Sequence, residues 1–368
     1  MNTSKENQLS AYQLEQIIAK SKAYTSLVLR NKIIYPHPSE LSSLSDIELS
    51  RQGFISVANF LKVSAKRKRG GNHPRPLPDA NTVATEVTRS MANMPMATNS
   101  GNLVLGEWNM EFLDSSKAKY FSKTYAQIVP RHHLLFCEEV DSNGLDTLAQ
   151  AFGYTSYCSV ANTRGQAVGF LVHPRLKVIG QPKSYDNLAN VQGIPDLRPA
   201  FRLDLEDTVT GVKFSAVVVH LKSMRGGPSV TSKVRYQQMQ YLASDLGSNF
   251  SGIISGDFNT FLDNTNDTSP LVNLGFKLVN PTDHTTTQSM GGRLDGFFHL
   301  GLTSALGRYQ VRPFFKNPLI TRGLSDHGLL TIEMRLCNVK GANDPDCNTP
   351  IKPGSPFSDN PTDAVEVS

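Results

Sequence analysis

The feature that most constrains this chain is a series of short apolar segments that end in polar side chains. Between residues 101 and 336, these segments have the length and composition of strands, and helical patterns lie between them at 144–152 and 232–246. The strand segments are 103–113, 133–140, 166–174, 212–221, 251–259, 294–300 and 327–334. Strands that alternate with helices in this way predict a layered α/β domain over residues 101–336.

The sequence on either side of this domain differs from it in charge. Residues 1–100 carry 13 Lys and Arg against 7 Asp and Glu, whereas residues 337–368 carry 2 against 5. We interpret residues 1–100 as an N-terminal arm with a helix near residues 11–22 and a basic Gly/Pro-rich segment at 66–78. That segment either contacts a phosphate backbone or is a solvated loop. Residues 337–368, rich in Pro, Asp, Asn and Ser, predict a flexible C-terminal tail.

Hydropathy and cysteine content exclude several classes of protein. No apolar run approaches the roughly 20 residues that a membrane-spanning helix needs, and the first twenty residues lack the apolar core of a signal peptide. We therefore expect a cytoplasmic protein without a membrane partner. A protein exported by a non-classical route, or a trimmed secreted form, would have the same sequence features. Cys137 and Cys158 are expected to be buried thiols, and Cys337 and Cys347 could form a disulfide under oxidising conditions.

Polar residues at the ends of the predicted strands are the candidates for chemistry. Carboxylates and amides in apolar surroundings are costly unless they are paired or bind a metal, so we expect these groups to converge on one cleft. Oxygen ligands without cysteine partners indicate Mg²⁺, with Mn²⁺ or Ca²⁺ as alternatives, rather than zinc. The residues concerned are Asn109, Glu138, Glu139, His220, Asp257, Asn259, Asp295, Asp326 and His327.

These residues lie in an ordered series of motifs: WN (108–109), EEV (138–140), VVVHLKS (217–223), GDFN (256–259), RLD (293–295) and SDH (325–327). The series resembles the endonuclease/exonuclease/phosphatase superfamily, which includes pancreatic-type deoxyribonuclease, exonuclease III, sphingomyelinase and inositol-polyphosphate 5-phosphatase. Each motif alone is weak, but six in the family's order are specific. The resemblance implies a deoxyribonuclease I-like four-layer α/β sandwich, in which two packed mixed β-sheets are flanked by helices.

The resemblance also implies a metal site. By motif, Glu139 corresponds to the principal metal ligand, and Asn109 and Asp326 lie beside the metal. The family usually has Gln where this chain has Glu138. Because side chains alternate along a strand, we expect only one of Glu138 and Glu139 to point into the site. We choose Glu139, with Glu138 as the alternative.

The remaining motif residues correspond to the groups that act on the phosphate. His327 contacts the attacked phosphate and is oriented by Asp295, while Asp257 positions or deprotonates the attacking water. Asn259 and His220 hold phosphate oxygens, and His220 also assists the leaving group. A carboxylate beside a histidine fixes its tautomer and raises its pKa, which suits this arrangement.

Two arginines and two tyrosines have a weaker claim to the site. Arg164, in NTRGQAVGF, and Arg198, in LRPAF, are candidate phosphate contacts, and each could equally be an ordinary structural or surface arginine. A tyrosine often supports the metal or phosphate in this family. The sequence does not choose between Tyr154 and Tyr157.

These residues predict a metal-dependent nuclease that hydrolyses DNA, with RNA as an alternative substrate, through an activated water. The HLKS form of the histidine motif, the two histidines and the basic arm favour this reading, since a basic arm can bind a nucleic-acid backbone without sequence specificity. A phosphoesterase that acts on phospholipid or phosphoinositide is one alternative, but the sequence lacks an obvious apolar membrane-docking loop. A non-catalytic nucleic-acid-binding scaffold is the other alternative. The oligomeric state stays open.

Overall fold

The computed structural model describes residues 77–92, 94, 96–97, 102–225, 228–262, 266–289, 291–302 and 304–336. The chain divides into two compact units, residues 1–75 with 223–234, and residues 76–222 with 235–368. The second unit contains both sheets described below. The predicted helix near residues 11–22, nearly all of the basic segment 66–78, Cys337, Cys347 and the tail 337–368 lie outside the described residues.

The first sheet contains the long apolar segment that ends in Asn109. Its strands are β1 (Leu103–Leu113), β2 (Leu134–Val140), β3 (Thr155–Cys158), β4 (Ala167–Val172), β12 (Ser304–Arg312) and β13 (Leu329–Leu336). Across the sheet they lie in the order β12-β13-β1-β2-β4-β3. β1 and β2 are parallel, with Asn109 opposite Glu138, and β1 and β13 are antiparallel.

The second sheet contains the Val- and Ile-rich segments that end in His220 and Asp257. Its strands are β5 (Leu176–Val178), β6 (Lys183–Tyr185), β7 (Ala200–Asp207), β8 (Lys213–His220), β9 (Gly252–Asp257), β10 (Lys277–Leu278) and β11 (Asp295–Leu300). Their order is β10-β11-β9-β8-β7-β5, and β6 pairs with β7 as well. The sheet is mixed, since β8 and β9 are parallel and their other neighbours are antiparallel.

The two sheets pack face to face, and helices cover their outer faces. The described helices are α1 (Ala80–Ser90), α2 (Ser115–Tyr120), α3 (Ser122–Ile128), α4 (Ser142–Phe152), α5 (Pro228–Leu246), α6 (Ser269–Leu274) and α7 (Pro318–Gly323). Phe136 and Phe170 of the first sheet share a core with Leu203 and Phe297 of the second. Residues of α1–α4 and α7 pack with Trp108 of β1 in a second core. Those of α5 and α6 pack with Ile254 of β9 in a third. The predicted four-layer sandwich is therefore confirmed.

The predicted strand segments and both predicted helices are present at close to the predicted bounds. Asp141 caps α4 by accepting a hydrogen bond from Gly144 N at 2.5 Å. The unit with the sheets also includes residues 76–100, and α1 buries Val83 and Val87 in it. The division at residue 100 stays a prediction.

The two described cysteines, Cys137 and Cys158, are free thiols; Cys137 is buried and Cys158 is partly buried. None of the described helices is both long and apolar enough to cross a membrane.

Candidate active site

Three neighbouring strands of the second sheet carry a polar residue at the same level. His220 at the end of β8 lies opposite Asp257 at the end of β9, and Asp295 at the start of β11 also lies opposite Asp257. All three side chains are buried. Val217, Val218 and Val219 continue β8 up to His220, and Ile253 and Ile254 favour the strand that ends at Asp257. The strand register therefore places three predicted catalytic residues in one row.

Oδ2 of Asp257 is surrounded by polar groups from several parts of the chain. It accepts hydrogen bonds from Nδ2 of Asn259 at 2.9 Å and from Nδ2 of Asn109 at 3.3 Å. Nε2 of His220 lies 3.4 Å from the same oxygen, and Nε2 of His327 lies 3.8 Å from it. The structure thus brings four other predicted site residues together around one atom of Asp257.

The surroundings of Asp257 set both its orientation and its proton affinity. Oδ1 accepts a hydrogen bond from the backbone N–H of Asn259 at 2.8 Å. Asn259 has φ 48°, a left-handed conformation that Asn tolerates better than most residues. Burial, followed by the charge of Asp295, raises the pKa of Asp257 to about 7, against the opposing effect of His327. At neutral pH this carboxylate can therefore accept a proton from water.

His327 and Asp295 form the predicted histidine–carboxylate pair. Nδ1 of His327 lies 3.0 Å from each oxygen of Asp295. Burial would lower the pKa of His327, but Asp295, together with Asp257 and Asp326, outweighs burial and raises the pKa well above its ordinary value. The ring is therefore cationic at neutral pH. Its Nδ1–H donates to Asp295, and its Nε2–H lies on the side of Asp257.

Asp326 lies at the rim of this cluster and is held by a neighbouring loop. Its Oδ1 is 3.9 Å from Nε2 of His327, and its Oδ2 accepts a hydrogen bond from Nε2 of Gln288 at 3.0 Å. Ser289 N also donates to the backbone carbonyl of Asp326 at 2.8 Å. Sequence reasoning missed Gln288, because its loop carries no recognisable motif and its relation to Asp326 exists only in the fold.

Glu138 and Glu139 do not lie in a regular stretch of strand, and the choice of Glu139 as the metal ligand stays a prediction. The pairing of β2 with β4 shifts register between Glu138 and Val140, and Glu139 has φ 53°. This bulge interrupts the alternation of side chains along the strand. Oε1 of Glu139 lies 3.9 Å from Nε2 of His220, while Glu138 is buried near Asp257 and Asp295, whose charges act on its pKa.

Glu138 belongs to a buried set of carboxyl groups that includes a residue the sequence analysis missed, Glu107. Glu107 precedes Asn109 by two positions on β1 and therefore lies on the same face of the strand. Burial, followed by the charge of Glu138, raises the pKa of Glu107 well above its ordinary value. Burial also raises the pKa of Glu138. The signal in the sequence was a charged residue inside the apolar segment 103–113.

Arg198 and His220 are the basic side chains near Glu139. Nη2 of Arg198 donates to the carbonyl of Leu221 at 2.9 Å, and its buried Nε has no hydrogen-bond partner among the described residues. Burial, followed by the charges of Arg198 and His327, lowers the pKa of His220 well below its ordinary value. His220 is therefore neutral at neutral pH. Its Nδ1 likewise has no partner among the described residues.

Arg164 lies outside the buried cluster. It is exposed on the turn between β3 and β4, where its backbone N–H donates to Oδ1 of Asn162 at 3.0 Å. Thr163 N donates to Asp196 at 2.6 Å, which links this turn to the segment that carries Arg198. The structure therefore brings the two predicted arginines onto linked loops, but only Arg198 is buried with the site residues.

The two candidate tyrosines have other roles. The hydroxyl of Tyr154 lies within hydrogen-bond distance of the backbone carbonyls of Val129 and His132, at 3.0 and 2.8 Å. Tyr157 packs against the core between the sheets. We assign neither to the site.

Comparison with solved structures identifies the fold. The human Nocturnin catalytic domain with bound sulfate anion is 16% identical to this chain, with a TM-score of 0.51, over 64% of this chain and 94% of that domain. An endonuclease/exonuclease/phosphatase protein from Bacteroides vulgatus is 14% identical, with a TM-score of 0.51, over 65% of this chain and all of that one. A humanized TDP2 from D. rerio is 17% identical, with a TM-score of 0.50, over 64% of this chain and all of that one. The fold is that of the endonuclease/exonuclease/phosphatase proteins.

The endonuclease/exonuclease/phosphatase fold was predicted from the order of six motifs, and the solved structures confirm it. At 14–17% identity, the similarity to these three structures shows the fold and not the activity. A scan of protein-family models finds no match to this chain, and a search of curated proteins finds none either.

The residues of the candidate site fit a divalent cation. Oxygen donors prevail, and among the described residues the buried carboxyl groups of Glu107 and Glu138 have no hydrogen-bond partner except each other. Ligand atoms of Asp257, Asp295 and His327 all lie within 4.8 Å of one another. Burial, followed by the charges of neighbouring carboxylates, raises the pKa of Glu107 and Asp257, and a bound cation would offset this excess of negative charge.

Proposed function

We propose that this chain is a divalent-metal-dependent phosphodiesterase, and that its substrate is nucleic acid, with DNA as the first candidate. The observation that carries the proposal is the arrangement around Oδ2 of Asp257. Two amides and two imidazoles approach this single oxygen, from the strands β1 and β8 and from the segments that follow β9 and precede β13. Such an arrangement positions a proton acceptor among donors that suit phosphate oxygens.

In this proposal, Glu139, Asn109 and Asp326 hold Mg²⁺ or Mn²⁺. Asp295 is less suited to the metal because both of its oxygens lie 3.0 Å from Nδ1 of His327. When bound, the cation stabilises negative charge on the phosphate and on the leaving oxygen.

The protein's own residues then carry out the proton transfers and hold the phosphate. Asp257 takes a proton from the attacking water while the water oxygen bonds to phosphorus and the bond between phosphorus and the leaving oxygen breaks. The leaving oxygen then takes up a proton from solvent water. The cationic His327 donates from Nε2 to a non-bridging oxygen, where charge builds up. Asn259 and His220 donate to phosphate oxygens as well. Because burial keeps His220 neutral, we assign it a hydrogen bond to the leaving oxygen rather than delivery of a full proton.

Arg198 is the best-placed substrate contact outside this set. Its buried Nε–H has no hydrogen-bond partner in the part of the chain that the structure describes, and an unsatisfied buried donor is costly unless a ligand meets it. A phosphate oxygen of the substrate would satisfy it. Arg164, on the linked turn, is proposed to contact a phosphate farther from the scissile bond, where solvent screens the attraction between the two charges.

The preference for nucleic acid rests on softer features of the sequence. These are the HLKS form of the histidine motif, the presence of both His220 and His327, and the net positive charge of residues 1–100. Backbone binding by such an arm would weaken steeply with salt concentration. Cytoplasmic localisation is likewise an expectation from the sequence.

A paired assay tests the proposal. Purified full-length protein is incubated with supercoiled plasmid, and separately with phosphoinositide vesicles, in Mg²⁺, in Mn²⁺ and in EDTA. We expect nicking of the plasmid with either metal and none in EDTA, and no release of inorganic phosphate from the vesicles. Intact plasmid together with phosphate release would replace the nuclease by a phosphoinositide phosphatase. Binding of plasmid without any cleavage would support the scaffold.

Variants locate the activity within the molecule. His220→Ala and Asp257→Ala should each lose most of the activity while keeping the circular-dichroism spectrum of the folded protein, because both residues lie at strand ends. Lys119→Met, on the exposed face of α2, serves as the control and should keep full activity.

A further inference from the structure

Lys117 makes a set of contacts that an ordinary helix-surface lysine does not make. It lies on α2, and its Nζ donates to the backbone carbonyls of Met110 at 2.9 Å, Glu111 at 2.6 Å and Leu324 at 2.6 Å. Three hydrogen bonds use all three donors of an ammonium group. Two of the acceptors follow Asn109 directly on β1, and the third precedes Ser325, Asp326 and His327.

Ser325 forms a second link between the same two segments. Its hydroxyl donates to the carbonyl of Asn109 at 2.5 Å and accepts a hydrogen bond from the backbone N–H of His327 at 3.0 Å. Together, Ser325 and Lys117 therefore engage three consecutive carbonyls of β1, those of residues 109–111. The end of β1 and the segment 324–327 are held as one piece.

The backbone of β1 is bent at the point where Lys117 binds it. Glu111 and Phe112 have φ 44° and 61°, a conformation that residues with side chains rarely adopt. In a regular strand, successive residues face opposite ways, so two neighbouring carbonyls would not meet one amine. Such strain persists only where the surrounding structure enforces it, and it is concentrated at functional sites.

The charge of Lys117 belongs to the site as well. Burial lowers its pKa to about 8, while the Glu111, Glu139, Asp114 and Asp326 carboxylates oppose that effect. The amine is therefore protonated at neutral pH and lies close enough to Glu139 and Asp326 to interact with both.

We propose that Lys117 is a positioning residue for the active site: it fixes Asn109 and Asp326 relative to each other so that both reach one divalent cation. The inference rests on the proposed function, and it concerns a residue outside all six sequence motifs. A simpler interpretation is that the ammonium group of Lys117 only neutralises nearby carboxylates. The two interpretations predict opposite changes in Mn²⁺ affinity when Lys117 is replaced. An ammonium group that only neutralises acids competes with Mn²⁺, so its loss would strengthen Mn²⁺ binding. A positioning group assists Mn²⁺ binding, so its loss would weaken it.

Two variants separate the readings. Lys117→Met removes the charge and all three donors, whereas Lys117→Gln removes the charge but keeps two donor hydrogens. Lys119→Met, on the same helix, is the matched control. Mn²⁺ binding to the metal-free full-length protein is measured by calorimetry without substrate, and kcat and KM are measured on an oligonucleotide at saturating Mn²⁺.

Positioning predicts that Lys117→Met binds Mn²⁺ about tenfold or more weakly and that kcat falls by a similar factor, with KM within about twofold of the wild-type value. The Mn²⁺ affinity and kcat of Lys117→Gln should lie between those of Lys117→Met and the wild type. Both should be about threefold or more below the wild-type values, because two donor hydrogens cannot bind three carbonyls. The control should match the wild type in all three quantities.

Wild-type or tighter Mn²⁺ binding by Lys117→Met would overturn the proposal in favour of charge neutralisation. If circular dichroism shows that Lys117→Met does not fold, Lys117→Gln decides, and wild-type Mn²⁺ binding and kcat in that variant would overturn the proposal. Failure of the proposed function is a separate outcome. A wild-type protein that cleaves no phosphodiester still allows the Mn²⁺ series to test Lys117.

Discussion

Nδ1 of His327 lies 3.0 Å from both carboxylate oxygens of Asp295, and this contact sets the charge on the imidazole. Burial alone would make the ring neutral. Asp295 reverses that effect and raises the pKa of His327 well above its ordinary value, with help from Asp257 and Asp326. The pair therefore supplies a fixed positive charge and a directed Nε2–H at neutral pH.

Asp295→Asn removes the negative charge beside His327 and nearly preserves the shape of the side chain at position 295. The pKa of His327 should fall, so that the alkaline limb of the kcat profile moves to lower pH and activity at pH 7.5 drops by about 10²–10⁴-fold. Histidine NMR titration and steady-state kinetics check the two parts. Asp204→Asn, on strand β7 of the same sheet, is the control. An unchanged His327 titration in Asp295→Asn would contradict the account.

The two neighbouring glutamates should respond in opposite ways to the same substitution. Glu139→Gln should lose Mn²⁺ binding and activity, because Glu139 is the proposed principal ligand. Glu138→Gln should keep activity and raise the free energy of unfolding by about 1–3 kcal/mol at neutral pH, because the amide stays neutral where burial raises the pKa of the carboxyl group.

The pH dependence of that stabilisation follows from the direction of the pKa shift. The pKa of Glu138 is raised on folding, so its destabilising effect is absent well below pH 4.5 and grows as pH rises above the unfolded pKa. Denaturant unfolding of the metal-free protein at pH 5 and at pH 8 should show the larger gain at pH 8. A gain of equal size at both values would contradict the assignment of a buried carboxyl group.

His132 should make folding sensitive to acid at a place away from the site. Its Nδ1–H donates to the carbonyl of Ile128 and its Nε2 accepts from the hydroxyl of Thr331, each at 3.0 Å, so the ring is held neutral. Burial lowers the pKa of His132 to about 3. Below the unfolded pKa of about 6.5, His132 binds a proton in the unfolded chain but not in the folded protein. The free energy of unfolding therefore falls by up to about 1.4 kcal/mol per pH unit.

Unfolding of His132→Gln between pH 7 and pH 4 tests this linkage. The variant should be less stable than the wild type at pH 7 and should lose less stability as the pH falls towards 4. Parallel pH profiles for the two proteins would exclude His132 as a source of acid sensitivity.

The two arginines should differ in their effect on substrate binding. Arg198→Met removes a buried donor and should raise KM by about 10–100-fold, the value of one charge-assisted hydrogen bond. Arg164→Met should raise KM by less than about threefold at physiological salt, because its contact is exposed and screened. Steady-state kinetics on one oligonucleotide at two salt concentrations compares them. Equal effects would show that burial does not distinguish the two residues.

The sequence predicted the strands that carry the site, because long apolar runs ending in His220, Asp257 and Asn109 are readable without tertiary information. It could not predict the bulge at Glu139. That bulge depends on the register of β2 against β4, and it overrode the alternation rule. The short strands β5, β6 and β10 have two or three residues each, too few for a period to appear.

The sequence also did not predict residues whose contacts exist only in the folded chain. Lys117 lies on a six-residue helix without a motif, and its acceptors are carbonyl groups that any residue type would supply. Gln288 reaches Asp326 across 38 positions of sequence. Glu107 was visible as a charge within an apolar strand, but the carboxyl group it approaches, that of Glu138, was assigned to the opposite face.

The most direct measurement of the central claim is hydrolysis of bis(4-nitrophenyl) phosphate, a diester that makes no demand on nucleic-acid recognition. It is followed at 405 nm, for wild type and Asp257→Asn, with Mn²⁺ and with EDTA. The account predicts release of 4-nitrophenol by the wild type with Mn²⁺ alone, and a loss of about 10²-fold or more in Asp257→Asn. Equal rates in the two proteins, or undiminished hydrolysis in EDTA, would contradict it.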